Sequence, residues 1–155
     1  RLPQRPALSL RPGMVLLDRI QDPGNLGTIL RTADAFEIPV VLTNGCADPY
    51  SDKTARASMG AVFRTQPQIA ELEEVLHLCR EQEIPLAATA LSPAARDIRE
   101  VPLAGSIAVI GSEGQGICKE LLDASQMQVI IPMSPRCESL NAAVAAALVM
   151  WQMRS

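Results

Sequence analysis

Ile107-Ala108-Val109-Ile110-Gly111-Ser112-Glu113-Gly114-Gln115-Gly116-Ile117 joins a short apolar run to a turn holding three glycines and one carboxylate. A run that is apolar at every position predicts a strand buried on both faces, the habit of a parallel sheet covered by helices. In such sheets ligands bind beyond the carboxyl ends of strands, so the turn that follows is a candidate site. The spacing invites comparison with the dinucleotide fingerprint, G-x-G-x-x-G. Counted from Gly111, the second glycine of that fingerprint falls on Glu113, where backbone would have to approach a pyrophosphate. A carboxylate there repels phosphate. It suits hydroxyls, amides, a cation, or an arginine partner such as Arg31.

Outward from this stretch the pattern repeats. Strands are predicted at 14–20, 40–43, 85–90, 107–110 and 129–133, with a short extended piece at 62–65; helices are predicted at 26–36, 71–83, 119–124 and 140–153. The alternation predicts an α/β domain, a mostly parallel sheet with helices on both faces. It is placed at 14–155, and the Pro-rich stretch 1–13 reads as a lead-in or linker remnant.

Two further strand-end turns carry unusual residues. In Gln21-Asp22-Pro23-Gly24-Asn25-Leu26-Gly27-Thr28-Ile29-Leu30-Arg31, Asn25 is a plausible N-cap. Gly24 and Gly27 let backbone come close to a ligand, and Arg31 points back from the helix. Taken alone, Asn25 can be a helix cap and nothing more, and an isolated Arg31 is more often a surface ion-pair partner than a functional residue. In Ile131-Pro132-Met133-Ser134-Pro135-Arg136-Cys137-Glu138-Ser139-Leu140-Asn141, Ser139 and Asn141 flank Leu140, expected buried, at the start of the last helix. Exposed N–H groups there could hold a polar ligand, and simple capping by Ser139 is the competing reading. Along that Ala-rich helix Leu140, Val144, Leu148 and Trp151 form a stripe, which predicts burial on two sides.

Composition narrows the function classes. With 155 residues, 48% of them hydrophobic, the chain can bury a core without disulfides or metals. Cys46, Cys79, Cys118 and Cys137 are scattered and His77 is the only histidine, which excludes a zinc ribbon and points to a reducing cytoplasm. No apolar run is long enough for a membrane span. Arg1 in place of methionine suggests a fragment whose partner domains lie outside it. The net charge of −3 hides an asymmetry: Arg11, Arg19, Arg31, Lys53, Arg56 and Arg64 could share one face, while acids concentrate in 68–128.

The three turns, in this order and separation, resemble the motif set of the SpoU/TrmH family of RNA 2′-O-methyltransferases, within the SPOUT class. Asn25, Gly27 and Arg31 match its first motif, Val109 to Gly116 its second, and Ile131 to Ala147 its third; Lys53 to Ala61 matches a weaker one. The likeness covers residues 14 to 154. It implies a deep trefoil knot formed by the C-terminal segment, against the general absence of knots. It also implies a homodimer through the knot and the last helix, with Trp151, Leu148 and the Ala face as contacts.

S-adenosylmethionine would be held at Thr89, Ala90, Gly111, Ile131 and Leu140, with no metal. Arg31 would be the central catalytic residue, oriented by Asn25 and Glu113, with Ser139 and Asn141 fixing the methionine end and the motif turn. The substrate would be the ribose of tRNA or rRNA. Where many relatives have a glycine-containing turn, this chain has Ser134 to Glu138, so the pocket could be reshaped and Arg136 could contact RNA. A non-catalytic S-adenosylmethionine- or RNA-binding domain of the same fold is the alternative. A nucleotide-dependent enzyme of the doubly wound class is disfavoured by Glu113.

Overall fold

A computed structural model describes residues 6–154. Strand β1 (Val15–Asp18), buried along its whole length, pairs in parallel with β2 (Val40–Thr43) on one side and β6 (Ile107–Gly111) on the other. Beyond β2 lies the edge strand β3 (Gln68–Ala70). Beyond β6 come β4 (Leu86–Thr89), β7 (Met127–Ile130) and the two-residue β5 (Arg96–Asp97). The full order is β3-β2-β1-β6-β4-β7-β5, and every pairing is parallel.

Helices cover both faces, as expected. On one side α1 (Pro23–Phe36), α2 (Asp52–Ala57), α3 (Ala61–Thr65) and α6 (Ala142–Arg154) close a core around Leu17, Ile29, Leu30, Val62 and Met150. On the other, α4 (Leu72–Glu81) and α5 (Lys119–Ala124) cover Leu16, Val41, Val109 and Leu121. The period of α1 explains its seating: Leu26, Ile29, Leu30 and Ala33 are all fully buried, and each large one contributes about 1.5–3 kcal/mol. Leu10 of the lead-in is buried too, and Ser9 exchanges hydrogen bonds with the Gln68 side chain.

The order of the right-hand strands carries the topology. β7, last in the chain, lies between β4 and β5, which are joined by residues 90–95. Thr89 and Arg96 flank the same residue, Val129, so residues 90–95 carry the chain from one side of β7 to the other.

Several expectations are corrected. The piece at 62–65 is helix α3, not extended. Its β-branched and aromatic residues favour a strand locally, but packing Ala61 and Val62 into the core beside α1 prevails, and Ser58 Oγ accepts the Val62 N–H at 3.4 Å. The strand comes later, at β3. α2 and β5 carry no periodic apolar signal and are visible only in the fold. β1 stops at Asp18 because Arg19 turns into the left-handed region. The stripe on α6 faces outward: Val144, Leu148 and Trp151 are exposed, while Ala142, Ala143, Ala146, Val149, Met150 and Met153 are the buried side. The Ala face therefore packs into the chain's own core.

Candidate functional site

Asp22 and Pro23 start α1. The Asp22 carboxylate accepts the N–H groups of Gly24 at 2.7 Å and Asn25 at 3.1 Å, and Pro23 occupies the first turn, where its missing N–H costs nothing. Asn25 is therefore not the cap. It sits inside the helix with its side chain free to reach outward. Asn141, rather than Ser139, caps α6: its Oδ1 accepts the N–H groups of Ala143 and Val144 at 2.8 and 3.2 Å.

These two asparagines and Glu113 meet. Asn141 donates through Nδ2 to Asn25 Oδ1 at 3.1 Å, and Asn25 donates through Nδ2 to Glu113 Oε1 at 3.2 Å. The same Glu113 oxygen accepts the Ala142 N–H at 2.9 Å, so a carboxylate sits at the amino end of α6, where the helix dipole favours negative charge. Three turns far apart in sequence are tied together by three side chains. Glu113 and Asn25, expected from sequence to orient Arg31, are not bonded to it through either side chain. They bind each other and the start of α6, while the side chain of Arg31, exposed on α1, makes no hydrogen bond or ion pair with another described residue.

Beside this network a cleft of about 640 Å³ opens at the carboxyl ends of β4, β6 and β7. Its size suits a cofactor-sized ligand. All five residues expected to hold one line it: Thr89, Ala90, Gly111, Ile131 and Leu140. So do Glu113 and Ser139, whereas Asn25, Arg31 and Asn141 lie outside its lining. Leu140 is half-buried rather than buried, because it forms a wall of the cleft.

The glycine turn closes tightly, with the Gly116 N–H on the Ser112 carbonyl at 2.9 Å. A Cβ on Gly111 would stand 2.4 Å from the Gly116 carbonyl carbon, so no other residue fits there. Residues missed by sequence reasoning include Leu122, Gln128 and Ala145, which reach the cleft from α5, β7 and α6. Gln128 Oε1 is shut off from solvent without a partner among the described residues, a signal no sequence period reveals.

The segment 134–138 keeps its turn without glycine. The Cys137 N–H reaches the Ser134 carbonyl at 3.0 Å, and no described residue between Met133 and Ser139 has a positive φ. Arg136 folds onto Ser134 Oγ at 3.3 Å. The basic face expected from sequence is incomplete: Arg19 turns inward and Arg64 pairs with Asp34 at 2.8 Å. Burial pushes the Cys46, Cys79 and Cys118 thiols up, which disfavours the thiolate a nucleophilic cysteine needs. Among the described residues no His, Cys, Asp or Glu cluster could hold a metal, and no helix is long and apolar enough to cross a membrane.

Fold and cleft define a parallel α/β protein with a cleft at the carboxyl ends of its strands, lined by apolar side chains, the glycine turn and the Glu113 carboxylate. The chain belongs to the SpoU rRNA Methylase family, whose sequence model matches residues 12–151. It is 40% identical over 147 residues to an uncharacterised tRNA/rRNA methyltransferase of Synechocystis, covering 93% of this chain and 53% of that protein. It is 36% identical over 143 residues to the Bacillus subtilis 23S rRNA (guanosine(2553)-2′-O)-methyltransferase RlmP, covering 91% and 57%. The AdoMet-bound rRNA methyltransferase of Sinorhizobium meliloti superposes with a TM-score of 0.85 at 35% identity, covering 93% of this chain and 57% of that one. The chain thus spans little more than half the length of these relatives.

Proposed function

We propose that this chain is the catalytic unit, residues 14–155, of an enzyme that transfers a methyl group from S-adenosylmethionine to a ribose 2′-hydroxyl of tRNA or rRNA. The observation that carries the reading is the closed Asn141–Asn25–Glu113 network set against a cleft lined by all five expected cofactor residues. The cleft fits the group: Ile110, Val129, Ile131, Leu140 and Ala145 offer an apolar bed for a flat base, and Glu113 suits a cation or hydroxyl where a phosphate would be repelled. Relatives support the cofactor, since the Sinorhizobium structure is named as AdoMet-bound.

When bound, S-adenosylmethionine supplies an already activated methyl sulfonium, and this chain's residues supply alignment. Glu113 and Asn141 lock the start of α6 against α1, fixing the helix from which Arg31 projects. The side chain of Arg31, unpaired with the described residues, binds an RNA phosphate and stabilises the developing alkoxide as a hydrogen-bond donor; the 2′-hydroxyl proton passes to solvent as the ribose oxygen forms its new bond to the methyl carbon, leaving S-adenosylhomocysteine as the thioether. Ser139, on the cleft wall, holds the methionine end.

The exposed Val144, Leu148 and Trp151 on α6 support a homodimer through that helix, and four scattered free cysteines accord with a reducing cytoplasm. The test is transfer of labelled methyl from S-adenosylmethionine into unmodified tRNA and rRNA by this chain and its Arg31→Ala variant. Label on ribose that disappears in the variant is the expected result. Bound cofactor with no label on either RNA would mean that methylation needs a further domain such as the longer relatives have room for, or that the chain is a non-catalytic binding domain.

A further inference from the structure

Arg19 belongs to none of the motifs, yet the structure commits it heavily. Its φ of 56° lies in the left-handed region, which a non-glycine residue holds only where its surroundings over-determine it. Those surroundings are specific. The Arg19 N–H donates to Thr43 Oγ1 at 3.2 Å, and Gly45 lies so close beneath the side chain that a Cβ there would stand 2.7 Å from Arg19 Cγ. The guanidinium then reaches across to the glycine turn. One Nη donates to Gln115 Oε1 at 2.9 Å, the other to the Gly116 carbonyl at 3.2 Å, and Nε lies 3.4 Å from Asp18 Oδ2. Asp18, 2% exposed, accepts the Cys118 N–H at 2.8 Å.

Two consecutive residues at the end of β1 therefore grip the exit of the turn. Its entry is held by the sheet, where Gly111 is paired with Asp18 itself. Gripped at both ends, the turn can present only its tip, and that tip is Glu113, which meets Asn25 and Ala142. We propose that Arg19 is a positioning residue: with Asp18 it holds the turn 111–116 in the shape that receives the cofactor and aims Glu113. This rests on the reading of the cleft as the S-adenosylmethionine site.

The test combines two readouts on the full chain and its Arg19→Ala, Arg19→Lys and Gln115→Ala variants. Arg64→Ala serves as the control for loss of an arginine distant from the turn. Calorimetric titration with S-adenosylmethionine should show affinity falling about ten-fold in Arg19→Ala, less in Gln115→Ala, with partial recovery in Arg19→Lys and no change in Arg64→Ala. Hydrogen exchange without ligand should quicken at the Gly116 and Cys118 amides in Arg19→Ala, while the melting temperature stays close to that of Arg64→Ala.

Unchanged exchange would overturn the brace. Quickened exchange with unchanged affinity would overturn the positioning role. A wild-type chain that binds no S-adenosylmethionine would overturn the cofactor reading instead, with the exchange rates still deciding whether the brace exists.

Discussion

Replacing Gly27 by alanine tests whether the helix that carries Asn25 and Arg31 is set by contact with α2. Gly27 lies inside α1, where alanine is ordinarily better than glycine by about 1 kcal/mol. Here a Cβ would stand 2.5 Å from Ala57 Cβ, 2.6 Å from the Thr54 carbonyl oxygen and 2.8 Å from the Ser58 nitrogen. Two of these atoms are backbone and the third is a Cβ, so no flexible side chain can swing away. Contacts of this kind want about 3.5 Å or more, so α1 and α2 must separate by ~1 Å. Overpacking typically costs about 1–3 kcal/mol, and more where backbone must move, which outweighs the propensity gain. We expect a net loss of roughly 1–2 kcal/mol, read in thermal unfolding as a fall of roughly 2–8 °C for a domain of this size. Methyl transfer should fall further than stability, since the shift displaces Asn25 from Glu113. Ala57→Gly should recover only part of the loss, because the Thr54 oxygen remains. A melting temperature that is unchanged or raised in Gly27→Ala would refute the reasoning.

Three shorter predictions follow from other contacts. Asn141→Asp keeps the helix cap but sets a carboxylate against Asn25 Oδ1, so its melting temperature should stay near wild type while activity is lost; Asn141→Ala should lose activity and about 1 kcal/mol of stability as well. The Arg99 guanidinium beside Asp97 holds its carboxyl at about 2, against an ordinary 3.8, so an NMR titration should find that midpoint and Arg99→Ala should return it towards the ordinary range. Because the folded value is the lower one, this pair's stabilisation is present above the ordinary value and is lost as pH falls towards about 2. Leu148→Glu places a charge in the exposed apolar stripe of α6 and should give a monomer in sedimentation, with the fold unchanged by circular dichroism.

The cleft and the network stand in different relations to the sequence. Thr89, Ala90, Gly111, Ile131 and Leu140, named from sequence as cofactor contacts, line one cleft, because motif positions at strand ends are local and the sheet carries them to one edge. The hydrogen bonds are another matter. From sequence Asn25 looked like a cap, Glu113 like the partner of Arg31, and Ser139 like the start of the last helix. Which donor meets which acceptor depends on how three turns converge, the first lying 88 and 116 residues from its partners in the other two, and no spacing encodes that.

The same division holds for the fold. Apolar runs such as 107–110 and the amphipathic period of α1 determined a parallel α/β architecture, because burial on both faces of a sheet or one face of a helix leaves its mark on consecutive residues. The motif set determined the family. Only the tertiary structure decided that 62–65 is helical, that β5 exists, and that the stripe on α6 faces out. Each of these depends on packing against residues remote in sequence, which overrides a local preference worth about a kilocalorie. Arg19 is the clearest case. As a letter between Asp18 and Ile20 it is one more surface cation, and it becomes a brace only because the chain brings Gln115 and Gly116 within reach of its guanidinium.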